Sequence, residues 1–269
     1  MKCTVDPLWN DRFAEPEFVL TADQDWAPEW AMERFLAFAE ANDLPLHVFV
    51  TNRSPALEAA SRDGRVTLGA HPNFLPGSSH GSTPEEVVAS CRALVPEADT
   101  FRSHTYAESS YALDLMRESG FATDSNLCLF LQPGIVPLIH ATGLLRLPVF
   151  LDDDSLLLWD RDGGLDLEPM EEALASPGLK IINFHPILYA INCPSTADYR
   201  ARRDRLYDRD AAPADRFEGR GVADLLEDLI ASGRAAGRRL SSFPGVARAG
   251  WDAIHELRAG SLYGWGPED

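Results

Sequence analysis

The chain has 269 residues, 45% of them hydrophobic, enough to bury one large core, and α/β barrels of this length are commonly single domains. A net charge of −18 opposes contact with phosphate backbones and anionic lipid surfaces, which argues against a nucleic-acid partner. Residues 1 to 7 offer no apolar run of signal-peptide length, no stretch of about eighteen uncharged apolar residues occurs, and the cysteines at 3, 91, 128 and 193 lack CxxC spacing; a soluble, cytoplasmic protein with reduced thiols and no membrane insertion is expected.

Residues 16 to 22 read as the first strand, followed by Asp23 and Asp25. Pro28 opens a helix with an apolar stripe of Trp30, Met32, Phe35, Leu36, Phe38 and Ala39, and Asn42-Asp43 turns the chain into a second strand at 46 to 50. Strand, helix, strand in this order is a βαβ unit, whose usual outcome is parallel pairing. The pattern repeats with a helix at 55 to 61, a turn at Asp63-Gly64, and a strand at 65 to 70 that stops at His71. Thr83 and Glu86 have capping-box spacing and start a helix to about 94. A fourth strand is expected near 100 to 104, and the helix after it runs through Tyr111, Leu113, Leu115 and Met116 to a C-cap at Gly120. Further strands are expected at 127 to 131, 148 to 151 and 179 to 183, with helices at 169 to 175, 197 to 209, 222 to 232 and 245 to 258. The loop-like segment 211 to 221 is too short to divide the chain, so 1 to 269 is expected to be one domain. About seven β-then-α units predict an α/β fold, a closed or partly closed (β/α) barrel with its chemistry where strands give way to loops.

Ionisable residues collect at those strand ends: Asp23 and Asp25, His71, Arg102 and His104, Asp152 to Asp154, and His185. Side-chain alternation points Asp23 and Asp25 the same way, and two such carboxylates repel unless a cation neutralises one or one takes up a proton. Zinc and similar ions take imidazole and carboxylate ligands, three of them in a catalytic site with a position left open. Asp25 with two of His71, His80 and His104 would make such a set. A free Asp23 could take a proton from water held there, Arg102 could keep that carboxylate ionised, and His185 could protonate a leaving group. Together they describe hydrolysis of an amide or ester. His47, His140 and His255 lie in apolar contexts and read as structural. The arginines at 200, 202, 203 and 205 interleave with acids and read as a solvated helix face.

Leu20-Thr21-Ala22-Asp23-Gln24-Asp25, Leu68-Gly69-Ala70-His71-Pro72-Asn73-Phe74, Phe101-Arg102-Ser103-His104 and Asn183-Phe184-His185-Pro186 resemble, in order, the motifs of the polysaccharide deacetylase (NodB-homology) superfamily, and most of all its WbmS-like branch, found with bacterial surface-glycan biosynthesis. The likeness spans residues 16 to 190. It implies a distorted (β/α) barrel, a divalent metal that is usually zinc, and removal of N-acetyl or related acyl groups from sugars. By position, Asp23 matches the family's base, Asp25 its metal aspartate, His71 its first metal histidine, Arg102 the arginine that pairs with the base, and His185 the acid. Asp153 is the carboxylate chosen to orient His185; the other reading of the run 152 to 154 is a helix N-cap beside solvated charges. Two departures stand out. Leu75 occupies the usual position of the second metal histidine, so His104 is the preferred replacement and His80 the alternative, and Gln24 splits two aspartates that are usually adjacent. Substrate contacts are expected from His80, Trp26 and Asn73, and Phe74, Tyr106 and Trp159 are further aromatic faces for a sugar or for packing. The leading expectation is a metal-dependent carbohydrate deacetylase; the rivals are a hydrolase of another C–N bond, such as a cyclic amide, and a glycan-binding barrel that has lost catalysis.

Overall fold

The computed structural model describes residues 13–159, 165–208, 213–238 and 240–260. Strands β1 (Pro16–Asp23), β2 (Leu46–Val50), β3 (Val66–Ala70) and β4 (Thr100–Phe101) pair in parallel, with α1 (Glu29–Ala41), α2 (Pro55–Arg62) and α3 (Pro84–Leu94) as the crossovers. Helix α4 (Ser110–Glu118) leads to β5 (Thr123–Asp124), and β6 (Leu138–Ile139) pairs antiparallel with β7 (Leu145–Arg146). Next come β8 (Val149–Asp152), α5 (Asp153–Trp159), α6 (Glu171–Ala175) and β9 (Gly178–Phe184). The chain ends its described course with α7 (Pro186–Ile191), α8 (Thr196–Leu206), α9 (Val222–Ala235), β10 (Leu240–Ser241) and α10 (Phe243–Gly260). The sheet order is β6-β7-β5-β4-β3-β2-β1-β9-β8, with β10 paired to β1.

The last six residues of β1 and all of β9 are buried, as expected of central parallel strands covered on both faces. Helix starts are fixed by local chemistry. Ser54 accepts a hydrogen bond from Leu57 N–H at 3.3 Å, and the capping box of α3 forms, with Thr83 and Glu86 each bonding the other's backbone N–H. Gly69 lets β2, β3 and β4 meet closely: a Cβ there would lie 2.6 Å from Thr100 Oγ1, 2.7 Å from Phe49 Cδ1 and 2.8 Å from His47 Nε2.

The strand expected at 127 to 131 is instead an irregular run laid along β8. Leu129 N–H donates to Val149 O and Leu131 N–H to Phe150 O, both at 2.8 Å, while Val149 N–H donates to Leu127 O. Leu131 ends the run in a left-handed conformation, φ 56°. Chain leaving β5 is thereby returned to β8, and the sheet curls into a distorted (β/α) half-barrel.

Other expectations resolve as follows. Helix α8 stops at Leu206, and Arg209 lies outside the described residues. His47 bonds Thr67 Oγ1 at 2.7 Å and Thr100 Oγ1 at 3.0 Å and stacks on Phe243, and His140 bonds Thr142 Oγ1 at 2.9 Å. His255, by contrast, is exposed beside Trp251, because its helix face turns outward there. Cys91 and Cys193 are buried and Cys128 half-buried, all three free thiols; Cys3 lies outside the described residues. Among the described residues no helix is long and apolar enough to cross a membrane.

Candidate metal centre

Parallel pairing brings the carboxyl ends of β1, β3, β4, β8 and β9 to one edge, and the candidate residues meet there. Asp23, the last residue of β1, accepts from Arg102 Nη1 at 2.9 Å on Oδ1 and from Asn183 Nδ2 at 3.0 Å on Oδ2. Arg102 is fully buried. Its remaining donors go to Ser125 O and Oγ and to Asn183 Oδ1, and its guanidinium lies 4.3 Å from the Phe49 ring centre. A buried ion pair is sustained only when its other hydrogen-bonding positions are filled, as they are here.

Asp25 and Trp26 follow the strand in left-handed conformations, φ 46° and 54°, sparsely populated by residues other than glycine. That turn, rather than strand alternation, swings Asp25 back beside Asp23. Its Oδ1 lies 2.9 Å from both His71 Nε2 and His104 Nδ1. Burial favours the protonated acid, but hydrogen bonds from His104 and His71 outweigh it and hold the Asp25 carboxyl well below the usual range. His104 sits in a 3₁₀ turn, His104–Tyr106, tied to the β3 end by its N–H bond to Pro72 O at 2.9 Å.

His185 lies between β9 and α7, as the N-cap of the helix. Its Nδ1 is 2.6 Å from Asp153 Oδ1, its backbone N–H donates to Asp153 Oδ2 at 2.9 Å, and its Nε2 is turned toward Asp25 Oδ2 at 3.5 Å. Burial opposes charge on this imidazole, yet Asp153 and Asp154 outweigh it and hold His185 well above its usual value. Within the run 152 to 154, Asp152 Oδ2 accepts from Ser155 at the start of α5, while Asp153 bonds His185.

A sequence model of the WbmS-like polysaccharide deacetylase family matches residues 20–203. The chain belongs to this family. Among solved structures it is similar to a candidate polysaccharide deacetylase involved in O-antigen biosynthesis from Bordetella bronchiseptica, with 24% identity over 85% of this chain and 95% of that one and a TM-score of 0.72. A candidate polysaccharide deacetylase from Mycobacterium smegmatis is 16% identical over 85% of this chain and 93% of that one, with a TM-score of 0.48. The Bordetella likeness shows the shared fold. No curated protein matches the sequence.

The two departures of this deacetylase from its superfamily pattern have local causes. Gln24 is turned away from the rim: its Oε1 accepts from Thr51 N–H at 3.0 Å and Asn52 N–H at 3.2 Å, which latches β1 to the end of β2. Leu75 is 39% exposed on the loop after His71, and His104 stands beside Asp25. His80 is the alternative third ligand and an expected substrate contact in the sequence. Its Nδ1 accepts from Asn73 N–H at 3.2 Å and its Nε2 faces Thr51 O at 2.7 Å, so both ring nitrogens are used in holding the loop. Asn73 likewise serves the loop, with Oδ1 accepting from Leu75 N–H at 3.0 Å.

Trp26 stands edge-on to His104, ring centres 5.1 Å apart, and lines a cleft of about 580 Å³ with Asp25, His104, Tyr199, Arg203 and Tyr207. Phe74 is half-buried against the core, and Trp159 is exposed beside Phe130. Asn183 is the site residue that the sequence reading left without a role. It bonds Asp23, Arg102, Thr21 and Asp152 at once. Its signal was available: it lies two positions before His185, on the same side of the extended chain.

Proposed function

We propose that this deacetylase hydrolyses the N-acyl group of an acylated sugar, with Asp25, His71 and His104 as metal ligands, Asp23 as base and His185 as acid. The observation that carries the proposal is the convergence of Asp25, His71 and His104 between an arginine-held carboxylate and a carboxylate-held imidazole. One carboxylate and two imidazoles, with ligand atoms all within 4.8 Å of one another, fit a divalent cation, and zinc suits that donor set. Such an ion, when bound, supplies Lewis acidity that polarises an acyl oxygen and makes water more acidic.

The protein's own groups do the rest. Arg102 and Asn183 each donate to one oxygen of Asp23 and fix its orientation, so it takes the proton from the attacking water. Asp153 holds the His185 ring with Nε2 toward the site, from which it gives a proton to the departing nitrogen. A C–O bond forms, the C–N bond breaks, and a carboxylate and an amine leave. The O-antigen role given to the Bordetella protein favours a sugar of a surface glycan as the substrate class.

The test is release of acetate and free amine from a panel of N-acetylated sugars by zinc-loaded protein. Chelation is expected to stop release and added zinc to restore it. Asp25→Ala should lose bound metal and activity together, whereas Asp23→Asn should keep its metal and turn over about 100-fold or more slowly. An unaltered rate in either variant refutes the assignment, and hydrolysis of cyclic amides without acetate release would move the chain to the other C–N bond class.

A further inference from the structure

Three buried polar residues, Asp124, Asn126 and Arg146, and one at the surface, Glu108, take no part in the proposed reaction, yet they form a network behind His104. Asp124 ends β5, and its Oδ1 accepts from Arg146 Nε at 2.8 Å and from Asn126 N–H at 3.0 Å. Arg146, at the end of β7, also donates to both oxygens of Glu108, at 3.3 and 2.7 Å. Asn126 lies between these pairs. Its Oδ1 accepts from Ser103 N–H at 2.7 Å, and its Nδ2 donates to Ser103 Oγ and Glu108 Oε2, each at 3.2 Å. The backbone N–H only donates and the Glu108 carboxylate only accepts, so the amide has one orientation that satisfies both. It thereby grips the chain on either side of His104, at residues 103 and 108.

The gripped segment is strained. Thr105 and Tyr106 both adopt left-handed backbone, φ 56° and 55°, which a β-branched residue such as threonine rarely takes up. Thr105 is exposed, so its own side chain has little packing to impose that conformation; what holds it is the pinning of the segment's ends. Pro72 O holds His104 N–H from the β3 side at 2.9 Å, and Asn126 is the counterpart from the β5 side.

We propose that Asn126 is a positioning residue of the metal centre: by clamping Ser103 and Glu108 it holds the left-handed turn at 105 and 106 and so keeps His104 Nδ1 at the ligand position beside Asp25, while Asp124 and Arg146 hold Asn126 in place. The inference rests on His104 as a metal ligand. A zinc–nitrogen bond of about 2.0–2.1 Å accepts displacements of only about 0.2 Å, so the relaxation of a strained turn next to the ligand is enough to lose it. With the clamp gone, relaxed turns are populated, and apparent metal affinity falls by the fraction that remains competent.

The test measures zinc affinity by competition with a chromophoric chelator, and ligand number from the visible spectrum of the cobalt-loaded protein, with His104→Ala as the reference for a missing imidazole. Asn126→Ala should bind zinc about 10- to 100-fold more weakly, and its cobalt spectrum should move toward that of His104→Ala. Glu108→Ala, a surface substitution that leaves Arg146 paired with Asp124, should weaken zinc about 3- to 10-fold and carries the test if Asn126→Ala does not fold. Asparagine enters left-handed backbone more readily than threonine, so adding Thr105→Asn to either variant should restore about 3-fold or more of the lost affinity, whereas in the wild type, where the turn is already imposed, it should change affinity by less than about 2-fold. A lowered melting temperature without these effects on the metal would make Asn126 merely structural and overturn the proposal. So would wild-type zinc affinity in Glu108→Ala and in folded Asn126→Ala, or equal effects of Thr105→Asn with and without the clamp. If the wild type binds zinc and His104→Ala binds it equally well, the ligand assignment falls and takes this inference with it; if only the clamp variants match the wild type, this inference alone falls.

Discussion

Asp23 and Asp25 are two buried or half-buried carboxylates two positions apart, and each is made tolerable by different partners. Asp23 is neutralised by Arg102 within the protein, whereas Asp25 faces imidazoles that can exchange their protons for a cation. Asn183 joins these groups, since one amide donates to both Asp23 and Asp152 and accepts from Arg102. Asn183→Ala would leave two carboxylates short of a donor and a guanidinium short of an acceptor. We expect it to cost about 2–4 kcal/mol of stability and about 10- to 100-fold in turnover, with bound metal retained. Urea denaturation, metal analysis and acetate release measured on one preparation check this, and wild-type values for all three would show that Asn183 is idle.

At the scale of elements, the rim is assembled by where strands stop and how the following turns bend. The ends of β1 and β4 continue into left-handed turns at Asp25-Trp26 and Thr105-Tyr106, and these aim Asp25 and His104 at one point. β3 contributes His71 because Gly69 permits it to lie close to β2 and β4. Gly69→Ala would drive a Cβ into Thr100, Phe49 and His47, and the predicted cost is about 1–3 kcal/mol, read as a lower urea midpoint. Weaker metal binding should accompany it, as the His71 end of β3 shifts. An unchanged midpoint would mean that the three strands part at little cost.

For the molecule as a whole, one continuous sheet with one core predicts a single unfolding transition. His47 gives that transition a pH dependence. Burial, with a smaller contribution from Arg102, lowers its imidazole to about 3, while the unfolded chain titrates near its ordinary value. Between those values the unfolded state binds more protons, so stability falls as pH drops below about 6.5 and is complete above it. At pH 5 this one group should cost the wild type on the order of 2 kcal/mol relative to pH 7.5. His47→Gln, which cannot titrate, should lose less over the same interval, and equal losses in the two proteins would assign the pH dependence elsewhere.

Apolar runs and helix-start chemistry are local properties, and they alone specified the succession of β1, β2 and β3 with their helices, the capping box at Thr83, and the rank of strand-end acids and histidines. Motif order was enough to point to the deacetylase family. Two-residue strands such as β5 and β7 carry no periodicity, and the run at 127 to 131 shows its irregularity only against β8. His80 has the composition of a ligand, yet Thr51, 29 positions away, takes up one of its nitrogens. His104 reaches Asp25 across 79 positions. Tertiary structure decided these matters because a side chain's free lone pair or proton depends on neighbours that only folding brings within about 3 Å.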